Sequence, residues 1–418
     1  MKRPPESLIS NLTKKTLFAV AAFILIVSRR PSSLTNPQFW AEDGRNWYAD
    51  AFNHGILYSL TTPEAGYFQT FSRLTAIASL SVPLAYPPLF FYLTAIVVQI
   101  SVAGFIASER LSDLLPDKKW RLALAFAYLA MPHSWEIYAN VTNSQWHLAL
   151  LGCLILTAKP PSGRSGRIFD LAAISIMAVS GPFSLLLVPV AAAVLWCRRE
   201  FHYVALMGIT AGGALLQTFS LLSFERPIQP ELGIAPEPLA GIIARHLAIS
   251  PLIGSRGFEK LSSTVFYGPA LIYAAAALSI AAFGLIILRG GFELRLLGTF
   301  SVLIVIAALI SPAVSPAPGQ WAFMADNDTA IRYWFIPTFT LYSGIVYLLS
   351  KGNLHAAART GAVILSLAAI AGIAADFRLP RLTDYRFRDY AAEFEKAPHG
   401  TNYEFPINPN WKMTLIRK

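Results

Sequence analysis

The chain of 418 residues is 55% hydrophobic and 14% charged, with a mean hydropathy of +0.49. A soluble globular chain carries roughly 25% charged residues, so this composition excludes a water-soluble domain and describes a multi-pass membrane protein. The net charge of +10 does not describe a nucleic-acid binder, because Lys and Arg fall in short pairs between apolar runs.

The N-terminus opens with the basic head "MKRPPESLISNLTKK", followed by "TLFAVAAFILIVS" and then Arg29 and Arg30. No small-residue cleavage site follows, so the segment is read as an uncleaved first span. It is short for about 30 Å of hydrocarbon, and Lys15 and Arg29 are expected to snorkel outward. Next comes "NPQFWAEDGRNWYADAFNHG" at 36–55, where Glu42 and Asp43 sit side by side among aromatic residues. Residues 67–83 form an amphipathic stretch containing Arg73, and a clean span follows Pro87 and Pro88. Segment 36–86 is therefore placed outside the bilayer as two interfacial helices.

The remaining apolar runs put spans near 87–107, 121–132, 145–158, 168–180, 183–197, 203–224, 265–288, 294–311, 333–350 and 359–375. With the first, that makes about 11 spans in an all-α polytopic fold. A "GP" step at 181–182 separates two short ones, which are candidates for broken or tilted helices. Positive charge sets the orientation. The short connectors and the N-terminus hold 17 Lys and Arg, the long segments 29–86, 225–264 and 312–332 hold 9, and the tail holds 8. The N-terminus is thus expected in the cytoplasm and the C-terminus outside. Residues 1–375 form one transmembrane domain, with 29–86 as its first outside loop, and 376–418 form an outside tail. In that tail a short helix is expected near 384–396, and "FPINPNWKM" reads as an extended, Pro-punctuated segment. Cys153 and Cys197 both lie in apolar runs and make neither a disulfide framework nor a metal cluster.

Chemistry concentrates in the outside segments. Asp43 precedes a helix expected over 44–54 and can serve as its N-cap. Two carboxylates beside lipid are costly, however, and such acids tend to be functional. Arg332, flanked by Tyr333 and Trp334, opens a span and serves either as an interfacial anchor or as an anion binder. Arg245, His246, Arg256 and Lys260 lie in 225–264, either as phosphate ligands or as a solvated face. Arg73 offers the same alternatives and can also pair with Glu42 or Asp43. In "MPHSWEIYANVTNSQWHLALL" at 131–151, amides and a ring suit a sugar-binding wall made of Asn143, Gln145, Trp146 and His147. Capping by Asn143 or Ser144 is the plainer alternative. Glu42, Asp43, His54, Asp326 and Asp328 are oxygen or imidazole donors on one side, but no spacing among them demands a metal, and no cofactor is expected.

A first span, an outside loop whose "AEDG" step opens a juxtamembrane helix, a second amphipathic helix and then "YPPLFFYL" opening the next span together resemble the GT-C superfamily of integral membrane glycosyltransferases. The motif-level resemblance covers about residues 36–95, and hydropathy carries the rest. It implies a polyprenyl-phosphate sugar donor, a glycan or lipid acceptor and a catalytic carboxylate in the first outside loop. Glu42 and Asp43 both stay open, with Asp43 favoured at the helix start. The resemblance also implies inversion at the anomeric centre and a place in the bacterial inner membrane. Arg332 and Tyr333, helped by Arg73, Arg245 and Arg256, would hold the donor phosphate. The rival readings are a transporter or flippase of a lipid-linked glycan, which would call for mid-span charges and inverted repeats that are not evident here, and a glycan polymerase or ligase.

Overall fold

The computed structural model describes residues 6–224, 230–314, 317–352 and 354–418. The basic head at 1–5 and positions 225–229 of the long outside segment lie outside the described residues. Helix α1 (Glu6–Arg29) leads through α2 (Ser32–Thr35) to a π-helical turn, Asp43–Tyr48, that runs into α3 (Ala49–His54), α4 (Ile56–Thr61) and α5 (Thr70–Ser79). A series of long helices follows: α6 (Pro87–Ala107), α7 (Lys118–Ala130), α8 (Ser144–Thr157), α9 (Arg164–Ala178), α10 (Phe183–Arg198) and α11 (Phe201–Ser223). Then come α12 (Pro236–Ile243), a π-helical turn Ala244–Ile249, and α13 (Ser250–Ser262). The chain continues through α14 (Pro269–Arg289), α15 (Phe292–Ile310), α16 (Gln320–Asp326), α17 (Phe335–Ser350), α18 (Ala356–Asp376) and α19 (Phe387–Lys396), and reaches the strands β1 (Asn402–Ile407) and β2 (Trp411–Ile416).

Five helices, α6, α11, α14, α15 and α18, are long and apolar enough to cross a membrane, and α8 and α10 are shorter apolar helices. Their starts follow from local chemistry. Pro87 and Pro88 open α6, where the missing N–H groups cost nothing. Gly181, at φ +91°, turns the chain before Pro182 caps α10. All residues of α8 are buried, which makes it the central helix. Leu278, Ile280, Leu285 and Leu288 of α14, and Leu367 and Ile370 of α18, stay exposed. Apolar faces of that extent suit lipid rather than water.

The two ends of the bundle differ. At one end the connectors are short and tied by ion pairs: Arg110 Nη2 donates to Asp170 at 2.8 Å, His202 lies 3.0 Å from the same carboxylate, and Lys159 meets Asp113 at 2.9 Å. At the other end lie the π-turn with α3 to α5, the 131–143 segment, α12, α13, α16 and the tail.

Three expectations need correction. The chain is not all helix, because residues 402–416 form an antiparallel hairpin pairing Ile407 with Trp411 and Asn402 with Ile416. Alternation buries Phe405, Ile407, Met413 and Leu415 on one face, against Phe39, Trp47, Tyr48 and Phe394. The described part of 225–264 is largely helical rather than an open loop. Asp43 makes no side-chain cap; it lies inside the π-turn, its carboxylate directed to the 141–142 backbone.

Candidate functional site

The acidic step at 42–43 is built by contacts from far along the chain. Ala41, at φ +45°, donates its N–H to the Asn408 carbonyl at 2.5 Å, and the Asn408 N–H returns to the Phe39 carbonyl at 3.2 Å. Asn408 is itself held by Thr383, which donates to its Oδ1 at 2.9 Å and accepts from its Nδ2 at 3.0 Å. The hairpin turn thus grips Phe39 and Ala41, just before Glu42.

The two acids meet different surroundings. Asp43 is buried, and its carboxylate accepts from Thr142 N (2.7 Å), Thr142 Oγ1 (2.8 Å) and Val141 N (3.2 Å). Thr142 Oγ1 in turn accepts from Trp47 Nε1 at 2.9 Å. Burial pushes the Asp43 carboxyl up to about 7, against the pull of those three hydrogen bonds. Glu42 is half-buried, and its carboxylate takes no hydrogen bond from another side chain among the described residues. Burial raises its pKa, nearby Glu136 and Glu64 add to the rise, and Arg332 opposes it.

Arg332 stands opposite, in the 3-10 turn Ile331–Trp334 before α17. Its guanidinium pairs with Glu136, its backbone N–H donates to Glu136 Oε2 at 3.1 Å, and Nη2 donates to the Ala313 carbonyl at 2.7 Å. Burial acts to lower its pKa, but Glu136 and Glu42 outweigh that and keep the guanidinium charged. The guanidinium also lies 4.9 Å from the Tyr333 ring centre. Tyr333 meets Trp146 edge-on at 5.6 Å, and Trp146 meets Phe183 at 4.6 Å. Trp146 Nε1, Gln145 Oε1 and Gln69 Oε1 are buried without a hydrogen-bond partner. Such groups are costly when left unmade, and a polyhydroxylated ligand can satisfy them.

The structure therefore brings together Glu42, Arg332, Tyr333, Gln145 and Trp146 from the candidate set, and adds Glu136, Glu64 and Gln69. It commits others elsewhere. Arg73 is buried, paired with Asp50, and its guanidinium lies 4.7 Å from the Trp47 ring centre. Arg245 binds Asp328 at 2.7 Å and the Ala325 carbonyl at 3.0 Å. Arg256 donates to the carbonyls of Ala375 and Arg378, both at 2.9 Å, at the end of α18. His147 is buried between Tyr128 (2.7 Å) and Gln99 (3.1 Å). Asn143 precedes α8 without capping it and donates Nδ2 to the Glu136 carbonyl at 3.0 Å. Among the described residues no three His, Cys, Asp or Glu side chains come together as metal ligands, and His54 packs on Tyr58 at 4.6 Å.

A second polar assembly joins 131–143 to α13, α16 and α18. Asp376 accepts from His133 N (2.9 Å), Ser255 N (2.7 Å) and Arg256 N (3.2 Å), beside Gly254 at φ +78°. His246 Nε2 faces the Met324 carbonyl at 2.8 Å and so carries its proton there, which leaves Nδ1 to accept from His133 Nε2 at 2.8 Å. His133 Nδ1 then accepts from Ser255 Oγ at 2.7 Å. Both rings are neutral in this arrangement. Burial, with Arg245 nearby, lowers His133 to about 3, and burial with His133 lowers His246 as well. Compared with protein-family models, with curated proteins and with solved structures, the chain matches none.

Proposed function

We propose that this protein is a membrane glycosyltransferase of GT-C type. In this reading the helices form eleven passes of the bacterial inner membrane, with the N-terminus cytoplasmic and the loop-bearing end periplasmic. The enzyme moves a sugar from a polyprenyl-phosphate donor to a lipid-linked or surface glycan. Glu42 is assigned as the base in preference to Asp43, because Asp43 already spends its oxygens on Val141 and Thr142. The observation that carries the reading is a half-buried carboxylate with no side-chain donor, near a charged arginine, beside a ring and unpaired amides.

The step balances on these groups. Glu42 takes the acceptor hydroxyl proton as its oxygen bonds to the anomeric carbon. The bond from that carbon to the phosphate oxygen breaks, and its electron pair leaves with the lipid phosphate. Arg332, whose terminal nitrogens are held by Glu136 and the Ala313 carbonyl, meets that growing charge as a fixed cation. One base with direct attack inverts the anomeric centre. Trp146 and Gln145 line the sugar side, where an apolar ring face and unpaired amide atoms suit a pyranose.

The test is gene deletion complemented with wild type, Glu42→Gln and Asp43→Asn at matched membrane levels, read by mass spectrometry of surface glycans and lipid-linked sugars. Glu42→Gln is expected to accumulate in the membrane normally and to leave the glycan missing. Full restoration by Glu42→Gln would sink the assignment.

A further inference from the structure

A cleft separate from the Glu42–Arg332 pair lies behind Asp43. Its walls come from the stretch after α1 between Arg30 and Asp43, the first turns of α6, the segment around Trp135 to Asn140, and Leu382 of the tail. Arg30 lines it and is only 6% exposed. Its Nε donates to the Pro380 carbonyl at 2.8 Å, while neither terminal nitrogen has a partner among the described residues. Among the described residues no carboxylate pairs with it, and its guanidinium lies 5.6 Å from the Tyr138 ring centre.

The other buried arginines described at this end all have partners within the protein. Arg73, Arg245 and Arg332 pair with Asp50, Asp328 and Glu136. Arg29 gives its nitrogens to the carbonyls of Phe377, Leu129 and Met131. A buried guanidinium without a counter-charge is expensive, and its cost is recovered when an anion arrives. Beside Arg30, Tyr92 is 6% exposed and its hydroxyl is buried without hydrogen-bond geometry to any partner among the described residues, although that of Tyr138 lies near. Ser33 brings a further hydroxyl to the same wall. The free polar groups here are thus mainly donors. The acid on the wall, Asp43, already has its oxygens met by Val141 and Thr142. Trp40 and Trp135, edge to face at 6.0 Å, supply ring surface at the mouth.

We propose that this cleft binds an oxyanion, a phosphate carried on a lipid or on a saccharide, with the Arg30 fork as its anchor. A planar guanidinium with two free terminal nitrogens takes two phosphate oxygens at once, which a lysine cannot do. The site does not depend on Glu42 acting as a base.

The test uses the full chain in uncharged detergent micelles. Farnesyl phosphate and glucose 1-phosphate are the probes, farnesol and glucose their uncharged counterparts, and titration calorimetry with thermal unfolding the readouts. At least one phosphate is expected to bind wild type where its uncharged counterpart does not. Arg30→Gln is expected to weaken it tenfold or more, while Arg359→Gln, at an exposed position outside the cleft, leaves it within twofold. Binding of farnesyl phosphate alone identifies a lipid source, and binding of glucose 1-phosphate identifies a saccharide source. Equal binding by wild type and Arg30→Gln overturns the proposal, as does equal weakening in Arg359→Gln or binding no better than that of the uncharged counterparts. If Arg30→Gln does not fold, Arg30→Lys and Tyr92→Phe replace it. Each is expected to bind several-fold more weakly, and unchanged affinity in both overturns the proposal. Activity lost or kept in Glu42→Gln bears on the transfer reaction and not on this site.

Discussion

Two neighbouring acids with opposite surroundings make the sharpest contrast at the scale of single residues. Asp43 faces two backbone N–H groups and a hydroxyl, all donors. An amide in its place turns an NH2 toward donors and leaves buried groups unmade, at a cost of about 1–3 kcal/mol. Asp43→Asn is therefore expected to lower the thermal midpoint in detergent and to speed proteolysis at 131–143. Glu42→Gln has no such partners to lose and is expected to melt like wild type; if Glu42→Gln is the unstable variant, the roles assigned here are reversed. The histidine pair gives a pH dependence. Both rings are neutral in the fold, with pKa values below their ordinary one, so the unfolded chain binds more protons as the medium becomes acidic. Their contribution to stability is complete above about pH 6.5 and is lost as the pH falls toward the depressed values. His246→Phe keeps a ring over Trp334, where the native rings stack at 5.1 Å, but removes the titrating group. It is expected to lose less midpoint than wild type between pH 7.5 and pH 5, as measured by scanning fluorimetry. An equal loss would show that the pair does not titrate in that window.

Among the elements, the hairpin and the π-turn depend on one another. A Cβ on Gly44 would stand 3.0 Å from Phe39 Cβ and Cγ and 3.1 Å from Ile407 Cδ1. Those neighbours are packed ring and branched-chain atoms, so Gly44→Ala is expected to cost roughly 1–3 kcal/mol by overpacking. The expected outcome is a hairpin that frays under limited proteolysis while the helical bundle stays protected. Unchanged proteolysis would show that the hairpin does not bear on the turn. The hairpin also marks where reading the sequence stopped short. "FPINPNWKM" is readable as extended, because its prolines forbid helix. Its pairing is not readable, because a three-residue turn at 408–410 lacks the two-residue Asn-Gly type of signal. The long helices were legible within a few residues because hydropathy is a local property. α1 is the exception, beginning at Glu6 in a polar stretch.

Across the whole molecule, what the sequence conceals is contact between distant segments. Glu42, Asp43, Trp146 and Arg332 stand out by residue type. That Arg332 pairs with Glu136, 196 positions away, and that Asp43 lies against Thr142, 99 positions away, follows from how the helices pack, and spacing along one chain does not encode it. For the same reason Arg73, Arg245 and Arg256 looked available, because their partners come from other elements. The two ends of the bundle supply a test of orientation. Cys197 is exposed near the short connectors, and Cys153 is buried. In intact cells a membrane-impermeant maleimide is expected to spare Cys197 and to label a cysteine placed at the exposed hairpin position Asn402. The reverse pattern would invert the proposed topology.

The grip of Asn408 on Phe39 and Ala41 spans some 370 positions of chain. During synthesis, at about 5–20 residues per second, the first long loop emerges and waits on the order of tens of seconds for that strand turn. Until then the acidic step lacks the backbone partners that set its shape. In a ribosome-bound intermediate the acidic step is consequently unformed, and its surroundings assemble only when chain growth has passed the hairpin.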